Sequence, residues 1–173
     1  MSEPTGPVTY SRRWSFRRHK PIEPMSAQQA AARDAAGEFY TVALRDPSGA
    51  AAPDAVIEIA WGNNHVGVWF FDEYGRQALR YSFRRSNDHL FLHGITQWDY
   101  PDESAATLSG ATRVDKFQFG EDGVAQRLTS NDATRETTKE DRSGVNVSTH
   151  WESFPRFGEW ASLARWKRGT SVS

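Results

Sequence analysis

Residues 55–100, AVIEIAWGNNHVGVWFFDEYGRQALRYSFRRSNDHLFLHGITQWDY, decide the fold. Four runs rich in β-branched and aromatic residues, Ala55 to Trp61, His65 to Asp72, Gln77 to Arg84 and His89 to Tyr100, are cut by Gly62-Asn63-Asn64, Glu73-Tyr74-Gly75 and Ser86-Asn87-Asp88. Breaks this short permit only hairpin pairing, because a parallel crossover needs a dozen residues or more. The centre of the chain therefore reads as an antiparallel meander.

Parity assigns the faces of that meander. If Ser86 and Asn87 form a two-residue loop, Phe83 lies opposite Leu90, Tyr81 opposite Leu92, Arg84 opposite His89 and Arg80 opposite His93. Moving the loop to Asn87 and Asp88 changes the partners and keeps the faces. One face is then apolar, with Leu79, Tyr81, Phe83, Leu90 and Leu92. The other carries Arg80, Ser82, Arg84, His89, Phe91 and His93.

Outward from the meander, Val8 to Phe16 alternates as a short strand with Trp14 and Phe16 facing inward. Pro21 and Pro24 break the chain, and Ser26-Ala27-Gln28-Gln29 forms a capping box that opens a helix from Ala27 to about Ala36, ended by Gly37. Glu38 to Leu44 returns to period two and stops at the turn tetrad Asp46-Pro47-Ser48-Gly49. Ala111 to Phe119 and Val124 to Ser130 read as two more strands. The turns Phe71-Asp72-Glu73-Tyr74-Gly75 and Phe119-Gly120-Glu121-Asp122-Gly123 share Phe, Glu and Gly at matching offsets, which predicts positive φ at both final glycines. Asn131 to Ser143 is polar and reads as a hairpin end or loop. Val145, Val147, Thr149 and Trp151 give the face of a last strand ending near Phe154. The spacing of Phe157, Trp160, Leu163 and Ala164 predicts a C-terminal docking helix up to Arg168.

The expected architecture is mainly β: an up-and-down meander of about eight strands, curled into a barrel or a strongly curved sheet, with one N-terminal and one C-terminal helix. The single domain spans 8–168, between tails at 1–7 and 169–173. The order of short helix, meander and C-terminal helix resembles lipocalin-like barrels in outline. Their Gly-x-Trp signature is not present: Trp14 follows Arg12-Arg13, and Trp61 precedes Gly62. The resemblance therefore bears on fold alone.

Composition excludes several classes of function. The 173 residues contain no cysteine, which removes disulfide scaffolds, thiolate chemistry and iron–sulfur clusters and suits a reducing interior. No basic end precedes an apolar segment, and no run reaches the ~18 apolar residues of a spanning helix, so a cytoplasmic protein is expected. The arginine-heavy basic set suits a GC-rich bacterial source. A net charge of −1 argues against a broad nucleic-acid footprint, although Arg12-Arg13-Trp14-Ser15-Phe16-Arg17-Arg18 interleaves bases with aromatics.

No Gly-x-Ser-x-Gly elbow, Walker loop, dinucleotide fingerprint or His-Glu-x-x-His is present, which disfavours hydrolases, kinases and dehydrogenases. What remains is shape-driven acid–base chemistry such as isomerisation or cyclisation, without a cofactor. His93, His89 and Glu58 are the candidate catalytic groups, with Asp99 and Tyr100 behind them; Glu58 lies between Ile57 and Ile59, where burial could raise its pKa. Arg80, Arg84 and Phe91 are candidate ligand contacts for a carboxylate or phosphate, and Trp69, Trp98 and Trp151 are candidate stacking walls. No metal site is expected. His89 and His93 are about 13 Å apart along an extended strand at ~3.3 Å per residue, too far for one ion with ligands near ~2.1 Å.

The leading functional expectation is a small-molecule-binding barrel for an aromatic or anionic metabolite. The alternatives are a protein-interaction module using the sheet surface and the 131–143 segment, and nucleic-acid contact through the N-terminal arginines. No membrane partner is expected, and self-association is left open.

Overall fold

The computed structural model describes residues 7–45, 50–166 and 168. The expected tails, the 46–49 turn tetrad and Lys167 lie outside the described residues, apart from Pro7. Eleven strands form one antiparallel sheet: β1 (Val8–Ser15), β2 (Lys20–Met25), β3 (Tyr40–Leu44), β4 (Ala55–Ala60), β5 (His65–Phe71), β6 (Gln77–Ser86), β7 (His89–Asp99), β8 (Arg113–Phe119), β9 (Ala125–Asn131), β10 (Glu136–Arg142) and β11 (Trp151–Ser153). The order is β10-β9-β8-β7-β6-β5-β4-β3-β1-β2, with β11 added beside the start of β7. The sheet is open, not the closed barrel of the sequence reading, because its end strands β10 and β2 do not pair with each other.

Two of the eleven strands, β2 and β10, have no counterpart in the sequence reading. β2 contains Pro21 and Pro24, which cannot donate to a ladder, and it sits at the sheet edge where that loss is tolerated. β10 occupies the segment read as a loop. Its seven residues are all exposed, so no apolar alternation marks it, and cross-strand pairs hold it: Thr138 opposite Thr129, Glu140 opposite Arg127. The last strand is short. Only Trp151–Ser153 pairs, while Val145 and Val147 pack against the core from irregular backbone.

The single α-helix among the described residues, α1 (Ala27–Ala36), has the expected capping box. Ser26 Oγ accepts from Gln29 N, Gln29 Oε1 accepts from Ser26 N, and Gly37 closes the helix at φ 70°. Asp34 anchors it by accepting from both Tyr40 Oη and Trp61 Nε1 at 2.6 Å. The predicted C-terminal helix is replaced by turns. A surface helix keeps one polar face, but Trp160, Leu163, Ala164 and Arg168 are all buried, and the Arg168 guanidinium lies 4.8 Å over the Phe83 ring. The segment is tied down instead by Tyr81 Oη donating to the Trp166 carbonyl and by Arg168 paired with Glu152.

The sheet has two unlike faces. The main core face gathers Leu79, Tyr81, Phe83, Leu90 and Leu92, as parity predicts, with Val42, Ile57, Val68 and the C-terminal segment. The second face holds a smaller cluster of Trp14, Ala43, Val56 and Trp69, with Phe16, Phe71 and Trp98 against it. Tyr10 and Trp14, placed together by strict alternation, belong to different clusters. Between them the ladder lapses at Arg12 and Glu23, where Glu23 takes φ 52° and the alternation breaks. The two matched turns behave as expected, with Gly75 at φ 76° and Gly123 at φ 81°.

Candidate functional site

The second face of β4–β7 carries the densest set of chemically active side chains. One row across the ladder runs Glu58, Gly67, Ser82, Gly94. Three of these four residues are small, and the space over Gly67 is taken by the Arg80 and Glu58 head groups. On one side stand Trp69 and Trp98, whose rings stack at 5.5 Å and 27°, with Phe16 5.3 Å from Trp69. On the other side lie His65 and His93.

Glu58 and Arg80 occupy the floor. Glu58 Oε2 accepts from Trp69 Nε1 at 2.9 Å and lies 3.5 Å from Arg80 Nη2. The Arg80 guanidinium also sits 4.8 Å over the Trp69 ring, and its Nε is buried with no acceptor. Gly67 makes this arrangement possible. A Cβ there would lie 3.1 Å from Arg80 Nη2 and 3.2 Å from Glu58 Oε2, inside ordinary contact distance.

A bulge sits at the second histidine. Near the turn Asn87-Asp88, Ser86 faces His89 and Phe83 faces Leu92, but beyond it Ser82 faces Gly94. His93 is therefore the extra residue, and bulges re-aim such side chains. Its ring comes to 6.3 Å from that of His65, which parity alone did not place beside it. Alternation from Phe91 already places His93 on this face, and the bulge puts Gly94 on the same face beside it.

Both imidazoles sit below their ordinary pKa of 6.5. Burial is the main cause for His65, helped by Arg80, while Glu58 and a backbone hydrogen bond at Phe83 push back. For His93, burial leads and His65, Arg84 and Arg80 add to it. Both rings are consequently neutral at pH 7, each with one N–H and one lone pair.

Of the candidates read from sequence, Glu58, His93, Arg80, Trp69 and Trp98 converge here. Arg84 is at the rim, 3.1 Å from Glu121. His89 does not join them: it lies at the strand start, edge-on to Trp151 at 6.4 Å. Phe91 is fully buried between Trp151 and the Arg84 guanidinium, so it packs rather than lines an open surface. Trp151 belongs with Phe91, away from Trp69. Asp99 and Tyr100 are also apart, Tyr100 Oη donating to the Gln77 carbonyl. Among the described residues no group of three or more His, Asp or Glu is arranged to hold a metal ion. No helix among them is long and apolar enough to cross a membrane.

One face of the sheet thus gathers an imidazole pair, an ion pair and a stacked indole pair. Comparison with protein-family models, with curated proteins and with solved structures gives no match.

Proposed function

We propose that the protein binds a small aromatic molecule bearing one anionic group, seated on the second face with its ring against Trp69 and Trp98 and its polar end over Ser82 and Arg80. The observation that carries this reading is the stacked pair of Trp69 and Trp98 beside Arg80, with Trp98, Ser82, Gly94 and Arg80 all partly exposed. Stacked indoles supply a broad apolar wall for a flat ligand. Arg80 and Arg84 each share their charge with a carboxylate, Glu58 and Glu121. A monoanion therefore fits the electrostatics better than a dianion. The Arg80 side chain stays 33% exposed beside Glu58, which leaves part of its guanidinium open to an anion.

Titration of tryptophan fluorescence with 1-naphthoate, indole-3-acetate and the neutral 1-naphthalenemethanol tests it. Saturable quenching by the acids, weakened in Trp98→Ala and Arg80→Gln, is expected. Equal response of wild type and both variants would refute the site.

A second reading, docking of another protein along β10, is favoured by the exposure of all seven of its residues at the sheet edge. Charges at Glu136, Lys139, Glu140, Asp141 and Arg142 blunt that edge against indiscriminate pairing, so a partner would have to match them.

A further inference from the structure

The β1–β2 hairpin carries a charge that its surroundings do not balance. From Val8 to Ile22 there are five cations, Arg12, Arg13, Arg17, Arg18 and Lys20, and no acid, although the whole protein has a net charge of −1. Glu23 answers only Arg12, at 3.4 Å, with both side chains more than half exposed. Arg13, Arg17, Arg18 and Lys20 are exposed, and their side chains have no carboxylate or hydrogen-bond partner among the described residues. We infer that the hairpin tip and the neighbouring β5–β6 turn form a binding surface for single-stranded nucleic acid, separate from the aromatic-acid site of the second face.

Two features point to this class of partner. The first is that the tip is held in place. Trp14 is buried with the Arg45 guanidinium 5.5 Å from its ring, Arg45 Nη2 donates to the His19 carbonyl at 2.6 Å, and Arg18 N donates to Ser15 Oγ. The His19 ring meets Phe71 edge-on at 5.3 Å, and Phe16 packs at the same distance from Trp69. The cations therefore stand on backbone already fixed to the sheet, which lowers the ordering cost of binding. Arginine forks match the oxygens of a phosphate chain.

The second feature is a column of flat groups. The Arg76 guanidinium lies 4.2 Å over the Tyr100 ring and 5.0 Å over the Tyr74 ring, and Asp72 holds it by accepting from Arg76 Nε at 2.8 Å. Tyr74 ends the column and is 52% exposed. The turn that carries it abuts the hairpin tip, since a Cβ on Gly75 would lie 3.1 Å from His19 Nε2. An unpaired base stacked on Tyr74 extends the column, and the flanking phosphates meet the tip cations. A duplex keeps its bases stacked inside and offers Tyr74 nothing. An anionic membrane uses the cations without the tyrosine. Glu73, exposed beside Tyr74, is the opposing charge of this turn and weakens the complex.

The test is fluorescence anisotropy of a labelled oligothymidylate of about ten nucleotides, titrated with the whole chain at low salt. The wild type should bind, and the logarithm of its association constant should fall with the logarithm of salt at a slope of about −3, as release of counterions from roughly four phosphates requires. Arg17→Gln/Arg18→Gln should weaken binding by about 10-fold or more and flatten that slope by about 1. Tyr74→Ala should weaken it by about 5-fold or more with the slope unchanged, and Tyr74→Phe should restore it. Glu73→Gln should tighten it. Thermal unfolding of each variant confirms that it is folded, and Tyr74→Leu takes the place of Tyr74→Ala if that chain is not.

Absence of binding at low salt would overturn the inference, as would equal affinity of the wild type and the Arg17→Gln/Arg18→Gln chain. Binding by Tyr74→Ala equal to wild type, or competition by inorganic polyphosphate as effective per phosphate as by the oligonucleotide, would leave only a general anion surface and overturn the nucleic-acid assignment. Stronger binding to phosphatidylserine vesicles than to oligothymidylate would overturn it in favour of a membrane surface.

Discussion

Glu58 and Arg80 belong to strands that are not neighbours, yet their charged ends meet 3.5 Å apart over Gly67 on the strand between. Strands two positions apart are separated by about 9.5 Å. Two long side chains reaching inward over a residue without a Cβ can close that gap. Both keep some contact with water, so the pair is worth no more than about 1 kcal/mol. Its value is positional: it fixes a carboxylate and a guanidinium at the foot of Trp69.

A double-mutant cycle of Glu58→Gln and Arg80→Gln by urea unfolding should return a coupling of about 1 kcal/mol or less. In a Gly67→Val background the coupling should vanish, because the branched side chain stands between the partners. A coupling unchanged by valine would show that Gly67 is not what lets them meet.

Leu92→Ala should destabilise the protein by about 2–5 kcal/mol, as truncations of fully buried leucines do. Leu92 has no exposed surface and lies in the main core, whereas Leu128 on β9 is only half-buried and stands outside that cluster. Leu128→Ala should cost well under half as much. Chemical denaturation of both variants checks the difference.

Ending the chain after Phe154 removes Trp160, Leu163 and Ala164 from the main core face, together with the Arg168 partner of Glu152. Glu152 would then be a buried carboxylate without its arginines, a state that costs several kcal/mol. The truncated chain should lose a cooperative thermal transition. A melting curve unchanged from full length would show that the segment is dispensable.

How far the sequence could be read follows from where periodicity survives. The hairpins of 55–100 declare themselves because Tyr81 and Phe83 alternate with Arg80, Ser82 and Arg84, the flanking runs are rich in β-branched and aromatic residues, and the breaks are too short for anything else. Strand β2 is hidden by its prolines, and β10 by lacking any buried face. The stripe from Phe157 to Ala164 has helical spacing and Trp160, Leu163 and Ala164 are buried as it predicts, but the chain reaches the core as turns. Glu58, Arg80 and Trp69 share a face by parity. His93 shares that face by parity as well, while the one-residue bulge beside it has as its only trace the pair His93-Gly94: glycine within a strand often marks such a site.

Stability should fall as the pH drops below about 6.5. His19, His65, His93 and His150 all have folded pKa values below their ordinary 6.5, with burial the first cause in each. Between those depressed values and 6.5 the unfolded chain binds more protons than the folded one, so acid favours unfolding there; above 6.5 the contribution is complete. Urea midpoints at pH 7.5 and pH 5.5 should differ, with the lower at pH 5.5. In the double variant His65→Gln/His93→Gln the difference should shrink but persist, because His150, with Nδ1 2.9 Å from the Leu92 carbonyl, remains buried. Equal midpoints in the wild type would contradict the neutral state of these rings.

The site itself is tested most directly by mapping amide and indole chemical shifts in a ¹H–¹⁵N spectrum during titration with 1-naphthoate. Binding on the second face should move the indole N–H signals of Trp69 and Trp98 and the backbone amides of Gly67, Ser82 and Gly94, while Leu128, Thr138 and Leu163 stay in place. Shifts confined to the β8–β10 strands or to the segment around Trp160, or no shifts at millimolar ligand, would contradict it.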